Sequence, residues 1–321
     1  MGRAKATRDE SARNACSTSG GDTVAIVEDP THADLGLWRE LFTGIDYVGL
    51  KATPAYYGIG VPRGDRSAVV LVPGFLGFDA YLFEMYWWLQ RIGYKPYFSR
   101  IGHNAECPDV LTNRLLRTVN RAYKETGRPV HLVGHSLGGV LSRGVASLAP
   151  SRVASVTMLG SPFRGVRVNP WVMWSLMFVR KRIMARRRSR GDCFTAACAC
   201  GFTCAMREDF PAHVQQTAIY TKTDGVVDWE TCITGDPEID FEVKGTHVGL
   251  AWNGAVYRLV AQRLAEAARA SRTAARAAKK RSARASQAAR QRDEKDIRPG
   301  TPVPAHALRG SRLSRTGQTV H

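Results

Sequence analysis

The sequence predicts an α/β fold built on a mostly parallel, doubly wound sheet. Two observations point there. Short β-branched or apolar runs alternate with helix-like stretches from about residue 68 onward, and strands that alternate with helices build parallel crossover units. In addition, Val130-His131-Leu132-Val133 runs straight into Gly134-His135-Ser136-Leu137-Gly138 and then into a helical pattern from Val140 to Leu148. A chain of 321 residues could hold two domains. These signals fit within the 200 to 250 residues or so that one α/β domain often occupies.

Taken in order, Leu35 to Phe42 has the spacing of a short amphipathic helix, and a flanking strand is expected around Val48 to Tyr56. Ala68-Val69-Val70-Leu71-Val72 is a fully apolar strand that runs into Pro73-Gly74-Phe75-Leu76-Gly77. Tyr81 to Leu89 reads as a helix, Lys95 to Ile101 as a strand, and Val110 to Tyr123 as a helix. Ala154 to Leu159 and Thr217 to Thr221 are strands, Asp240 to Lys244 is the last one, and a helix follows from Ala255 to Ala265. Between Gly165 and Pro211 the alternation is interrupted, the pattern of an insertion over 166–212 that caps the strand ends.

The strand, sharp turn and helix around Ser136 form the pattern of a nucleophile elbow, in which close-approaching glycines let the serine adopt a strained backbone. A serine hydroxyl is a weak nucleophile until a base removes its proton, and in such folds the chain order is Ser, then Asp or Glu, then His. Of eight histidines, His32, His103, His131 and His135 precede or adjoin Ser136, His213 precedes any carboxylate that follows a strand, and His306 and His321 lie in a polar tail. His247, in Gly245-Thr246-His247 after the last strand, is left as the candidate base. Asp224 is the first carboxylate beyond Thr217–Thr221 and is the preferred acid, with Asp228 the alternative. Either could instead be an ordinary turn residue. Backbone N–H groups of Leu137, after the nucleophile, and Phe75, in the glycine-flanked loop after the apolar strand, are the candidate oxyanion donors.

Pro73-Gly74-Phe75-Leu76-Gly77, Gly134 to Gly139, Gly160-Ser161-Pro162-Phe163-Arg164-Gly165, Asp224-Gly225-Val226-Val227 and Gly245-Thr246-His247 together resemble the α/β-hydrolase superfamily, in its bacterial lipase and esterase group. The resemblance covers residues 35 to 265. It departs at Pro73 and Phe163, where that group commonly carries histidine. It implies hydrolysis of carboxylic esters through an acyl-enzyme, without a cofactor or metal. A non-catalytic protein of the same fold, binding anionic membranes or polyanions through basic segments, is the alternative.

The insertion begins with Trp171-Val172-Met173-Trp174-Ser175-Leu176-Met177-Phe178-Val179, too short to cross a bilayer, which takes about 20 residues. Arg180, Lys181, Arg182, Arg186, Arg187, Arg188 and Arg190 follow. The expectation is a cap that contributes Trp171, Trp174 and Met177, with Phe163, to an acyl-binding wall and that contacts anionic headgroups peripherally. A buried cap with solvated arginines is the plainer reading. Residues 1–33 are polar and expected to be disordered, with no secretory signal, which favours a cytoplasmic protein, with peripheral membrane contact as the further expectation. Cys193, Cys198, Cys200, Cys204 and Cys232 match no common zinc spacing and are expected to be mostly free thiols. The formal net charge is +18, and residues 267–321 hold 14 Lys or Arg against three acids. That tail, 266–321, is expected to be disordered, and without aromatic residues it suits no specific nucleic-acid recognition.

Overall fold

A computed structural model describes residues 31–186 and 198–296. The expected N-terminal segment, apart from residues 31–33, lies outside them, as do Arg187, Arg188, Arg190, Cys193 and residues 297–321. Six parallel strands form the main sheet: β2 (Ala68–Val72), β3 (Lys95–Phe98), β4 (Val130–His135), β5 (Val153–Leu159), β7 (Gln215–Tyr220) and β8 (Asp240–Glu242). Their order is β3-β2-β4-β5-β7-β8. The chain therefore winds outward one way from β2 to β3 and the other way from β4 onward, and the switch point lies between β2 and β4. In open α/β sheets, ligands bind outside the carboxyl ends of the strands at such a point. A separate parallel pair joins β1 (Thr31–His32) to β6 (Arg167–Val168).

The central strands are apolar throughout because both faces are covered. Val69 and Leu71 of β2 face one layer, with α2 (Phe83–Arg91) and the start of α7 (Gly254–Asp296); Trp88 and Tyr257 meet there with ring centroids 4.5 Å apart. Ala68, Val70 and Val72 face the other layer, made by α3 (Pro108–Thr126), α4 (Leu137–Leu148) and α6 (Gly201–Arg207). The insertion contributes α5 (Pro170–Arg186) and α6.

Two expectations are corrected. The strand expected at Val48–Tyr56 is instead α1 (Thr43–Ala52) followed by a 3-10 turn at Pro54–Tyr57. Leu50 and Tyr56 are buried there as helix-face residues, so the local β-branched and aromatic content misleads, and Pro54 starts the turn rather than sitting in a ladder. At the other end, Ala267 and Ala268 are buried and the chain is helical through Asp296 rather than disordered from 266. Ala, Arg, Lys and Gln are strong helix formers, so such a stretch needs no apolar face to be helical. Residues from Thr273 onward form a unit of their own, and its described side chains are largely exposed.

Candidate active site

Ser136 stands between β4 and α4 with φ 51° and ψ −127°, a conformation that a side-chain-bearing residue adopts only under tight constraint. Its N–H donates to Leu159 O at 2.7 Å. The constraint comes from close backbone packing: a Cβ on Gly134 would run into the backbone of Gly138 and Gly139, and one on Gly138 would run into the carbonyls of Val72 and Pro73.

The loop after β2 wraps over this turn. A Cβ on Gly74 would lie 2.9 Å from His135 Nδ1 and 3.1 Å from Ser136 Cβ. Asn104, fully buried, pins the loop. Its Nδ2 donates to Pro73 O at 2.8 Å, its N–H to Gly77 O at 2.9 Å, and its carbonyl accepts from Leu76 N–H at 2.9 Å. The N–H groups of Phe75 and Leu137 donate to no group among the described residues, and both residues line the cavity that contains Ser136.

The acid and base are brought together. Asp224 Oδ2 accepts from His247 Nδ1 at 2.6 Å, and its Oδ1 accepts from the N–H groups of Val226 and Val227 at 2.8 and 2.7 Å. Those two N–H groups fix the carboxylate so that one oxygen faces the imidazole. Asp228 is engaged elsewhere: it pairs with Arg167 at 2.9 Å and caps the following turn through Glu230 N–H. Burial disfavours the His247 imidazolium, but the Asp224 charge, its hydrogen bond and the more distant Glu40 charge outweigh that and raise the pKa above its ordinary 6.5.

Three residues that the sequence did not single out hold these parts in place. Glu40, in the 3-10 turn at Leu37–Phe42, accepts from His247 N–H (3.0 Å) and Gly225 N–H (3.1 Å) through Oε1, and from Val248 N–H (2.9 Å) through Oε2. One carboxylate thus ties the acid loop to the base loop. Asp46 on α1 accepts from Thr246 N–H at 3.0 Å. His135 is the third. Burial pushes its pKa down to about 3, so the ring is neutral, and its Nε2 donates to His247 O at 2.9 Å. The backbone of His247 is thereby gripped at both polar groups. No local motif marks Glu40 or Asp46, because their partners lie about 200 positions away; His135 was visible only as part of the GxSxG pattern.

Ser136 and His247 open into the same cavity of about 500 Å³. Its walls are mainly apolar and include Leu76, Val140, Val172, Leu176, Phe202 and Met206. Trp171 lines it as expected. Phe163 does not: it is buried in the core with the Arg143 guanidinium 5.3 Å from its ring centre, because the turn after Pro162 directs it into the layer beneath the sheet. Trp174 and Met177 are also absent from the wall. Trp174 is exposed and stacks on Phe178. Of the cysteines, Cys198 and Cys232 are buried, and Cys232 is a free thiol. Cys204 is disulfide-bonded rather than a free thiol.

A family model described as alpha/beta hydrolase fold matches residues 114–182. Among curated proteins, the chain is 35% identical over 125 residues to a triacylglycerol lipase of Burkholderia plantarii, an alignment that covers 36% of this chain and 35% of that one. It is 38% identical over 109 residues to a triacylglycerol lipase of Pseudarthrobacter phenanthrenivorans, covering 31% and 34%. The chain thus spans about a third of the length of the curated relatives it matches. Among solved structures, the mature lipase BlEst2 of Bacillus licheniformis superposes with a TM-score of 0.45 at 15% identity, covering 64% of this chain and 95% of that one.

Proposed function

We propose that this chain, which has the α/β-hydrolase fold, is a serine hydrolase that cleaves carboxylic esters with medium or long acyl chains. The observation that carries the reading is the Asp224–His247 hydrogen bond of 2.6 Å on the wall of the cavity that also holds the strained Ser136. The similarity to proteins named triacylglycerol lipases supports the ester as substrate class.

In this mechanism His247 Nε2 removes the Ser136 hydroxyl proton as Oγ attacks the acyl carbon. The carbonyl oxygen becomes an anion held by the N–H groups of Phe75 and Leu137, donors that typically contribute about 2.7 to 4 kcal/mol each. Asp224 stabilises the imidazolium, which then protonates the leaving alcohol. Water enters, His247 takes its proton, and attack on the acyl-enzyme releases the acid. The chemistry needs no cofactor.

An apolar cavity sets the acyl preference. Each buried methylene contributes about 0.8 kcal/mol, so extending the acyl group by four methylenes adds about 3 kcal/mol, on the order of a hundredfold in kcat/KM. A panel of nitrophenyl esters tests this, with octanoyl and decanoyl expected to exceed acetyl by at least tenfold. Peak rates on acetyl would contradict the acyl-wall assignment.

The raised pKa of His247 sets the pH profile. The base works only when neutral, and a raised pKa keeps the imidazolium to higher pH, so kcat/KM is expected to fall with acidification through a midpoint above the ordinary histidine value. Glu40→Gln removes one of the charges that favour the imidazolium and should move that midpoint downward. An unmoved midpoint would exclude an electrostatic role for Glu40.

A further inference from the structure

The N-terminal helical segment is inverted relative to an ordinary amphipathic helix. Trp38, Leu41, Phe42, Ile45 and Val48 recur at the spacing of one helix face, and all five are exposed, Leu41 at 84%. No residue of the 3-10 turn at Leu37–Phe42 is buried. What the segment turns toward the protein is acidic: Glu40 and Asp46, which hold the His247 loop by the bonds given above. Isolated exposed apolar residues are ordinary, whereas a run of five on one face marks a contact surface.

A second stripe lies on α5, where Trp171, Trp174 and Phe178 are exposed three and four positions apart. Both segments root on one ribbon. β1, which leads into the N-terminal turn, pairs with β6, which leads into α5, and Asn169 Nδ2 donates to Leu35 O at 2.8 Å across the junction. Trp171 is 72% exposed and is also part of the cavity wall.

Charge selects the occupant. A second copy of this chain would bring +18 against +18, whereas an anionic lipid surface attracts it. Lys181, Arg182 and Arg186 are exposed on α5 beyond Phe178. Aromatic and aliphatic side chains beside exposed cations are the composition of helices that lie in a membrane interface. No helix among the described residues is long and apolar enough to cross a membrane.

We propose that the face made by Trp38, Leu41, Phe42, Ile45 and Val48 inserts into an anionic lipid surface, so that the helical segment that positions His247 is also the one that seats the protein on lipid. The purpose of such seating rests on the ester-hydrolase reading; the binding does not.

The test is co-sedimentation of the full chain with phosphatidylcholine vesicles with and without phosphatidylglycerol, against the variant Leu41→Ser/Ile45→Ser/Val48→Ser. None of the three touches the catalytic groups, so hydrolysis of a soluble short ester and the melting temperature should stay unchanged. Binding to anionic vesicles is expected, reduced tenfold or more in the variant. Wild-type binding should persist in part at about 0.5 M salt, where charge attraction is screened to within a few ångströms. Equal binding by the variant, or loss of all binding in salt, would overturn the proposal by assigning the attraction to basic segments alone. A wild-type dimer that the variant abolishes, with no vesicle binding, would overturn it in favour of a second copy. Fluorophosphonate labelling in the absence of vesicles separates the two readings: labelling without vesicle binding sinks only the docking face, and vesicle binding without labelling sinks only the hydrolase.

Discussion

Asp224→Asn is expected to lower kcat by about four orders of magnitude while leaving the fold intact, and Asp228→Asn to leave kcat near the wild-type value. The first substitution keeps the shape of the side chain but removes the charge that favours the His247 imidazolium. An amide nitrogen facing Nδ1 would also favour the wrong tautomer, and loss of the orienting carboxylate in a serine triad costs about 10⁴ in kcat. Val226 and Val227 N–H can still bond a side-chain carbonyl at position 224, so the defect should appear in turnover rather than in the melting temperature. Asp228, paired with Arg167 and capping a turn, should show the reverse: its amide keeps the cap but loses the part-exposed ion pair, a modest loss of stability of about 0.2 to 1 kcal/mol. Equal losses of kcat in both variants would remove the distinction between the two carboxylates.

Gly138→Ala is the second large effect. The added methyl would meet the carbonyls of Val72 and Pro73, both of which are backbone atoms at the end of a central strand and unable to rotate away. Overpacking of this kind costs typically 1–3 kcal/mol and occasionally more, and rigid backbone on the receiving side favours the upper end. Relief requires α4 to shift away from β2, which carries Ser136 with it. A displacement near 1 Å can cost about a hundredfold in rate, so the variant should lose at least that in kcat/KM with Asp224 and His247 untouched. Calorimetry and ester hydrolysis together check it. By contrast, Gly44→Ala on α1, where a Cβ would meet nothing within 4 Å, should leave both stability and rate at or above the wild-type level.

How far the fold and site could be read from sequence follows the range of the forces involved. β2, β4, β5 and β7 are buried on both faces, so their apolar runs stand out, and α3 and α4 lie within three residues of their expected ends. The doubly wound sheet was legible for that reason. Ser136, Asp224 and His247 were legible as candidates because each follows a strand at a place where a local turn must expose it. Glu40, Asp46 and Asn104 carry no such signature. Their effect depends on backbone N–H groups and carbonyls supplied by distant loops, and the same residues on a surface would look identical in sequence. The motif neighbours of Phe163 flank the site and point it to the cavity wall, but the chain turns it into the core under Arg143. The stretch around Val48 fails for a different reason: Leu50 and Tyr56 are buried, but from a helix and a following turn that Pro54 starts, so local β-branched and aromatic content points to the wrong element.

Hydrolysis by this mechanism turns on one oxygen, Ser136 Oγ, activated by His247. Incubation of the full chain with a fluorophosphonate, followed by intact mass and peptide mapping, tests it most directly. A single adduct on Ser136 is expected, absent in Ser136→Ala and slowed by several orders of magnitude in His247→Ala. An adduct of equal yield in Ser136→Ala, or one mapped to another residue, would contradict it.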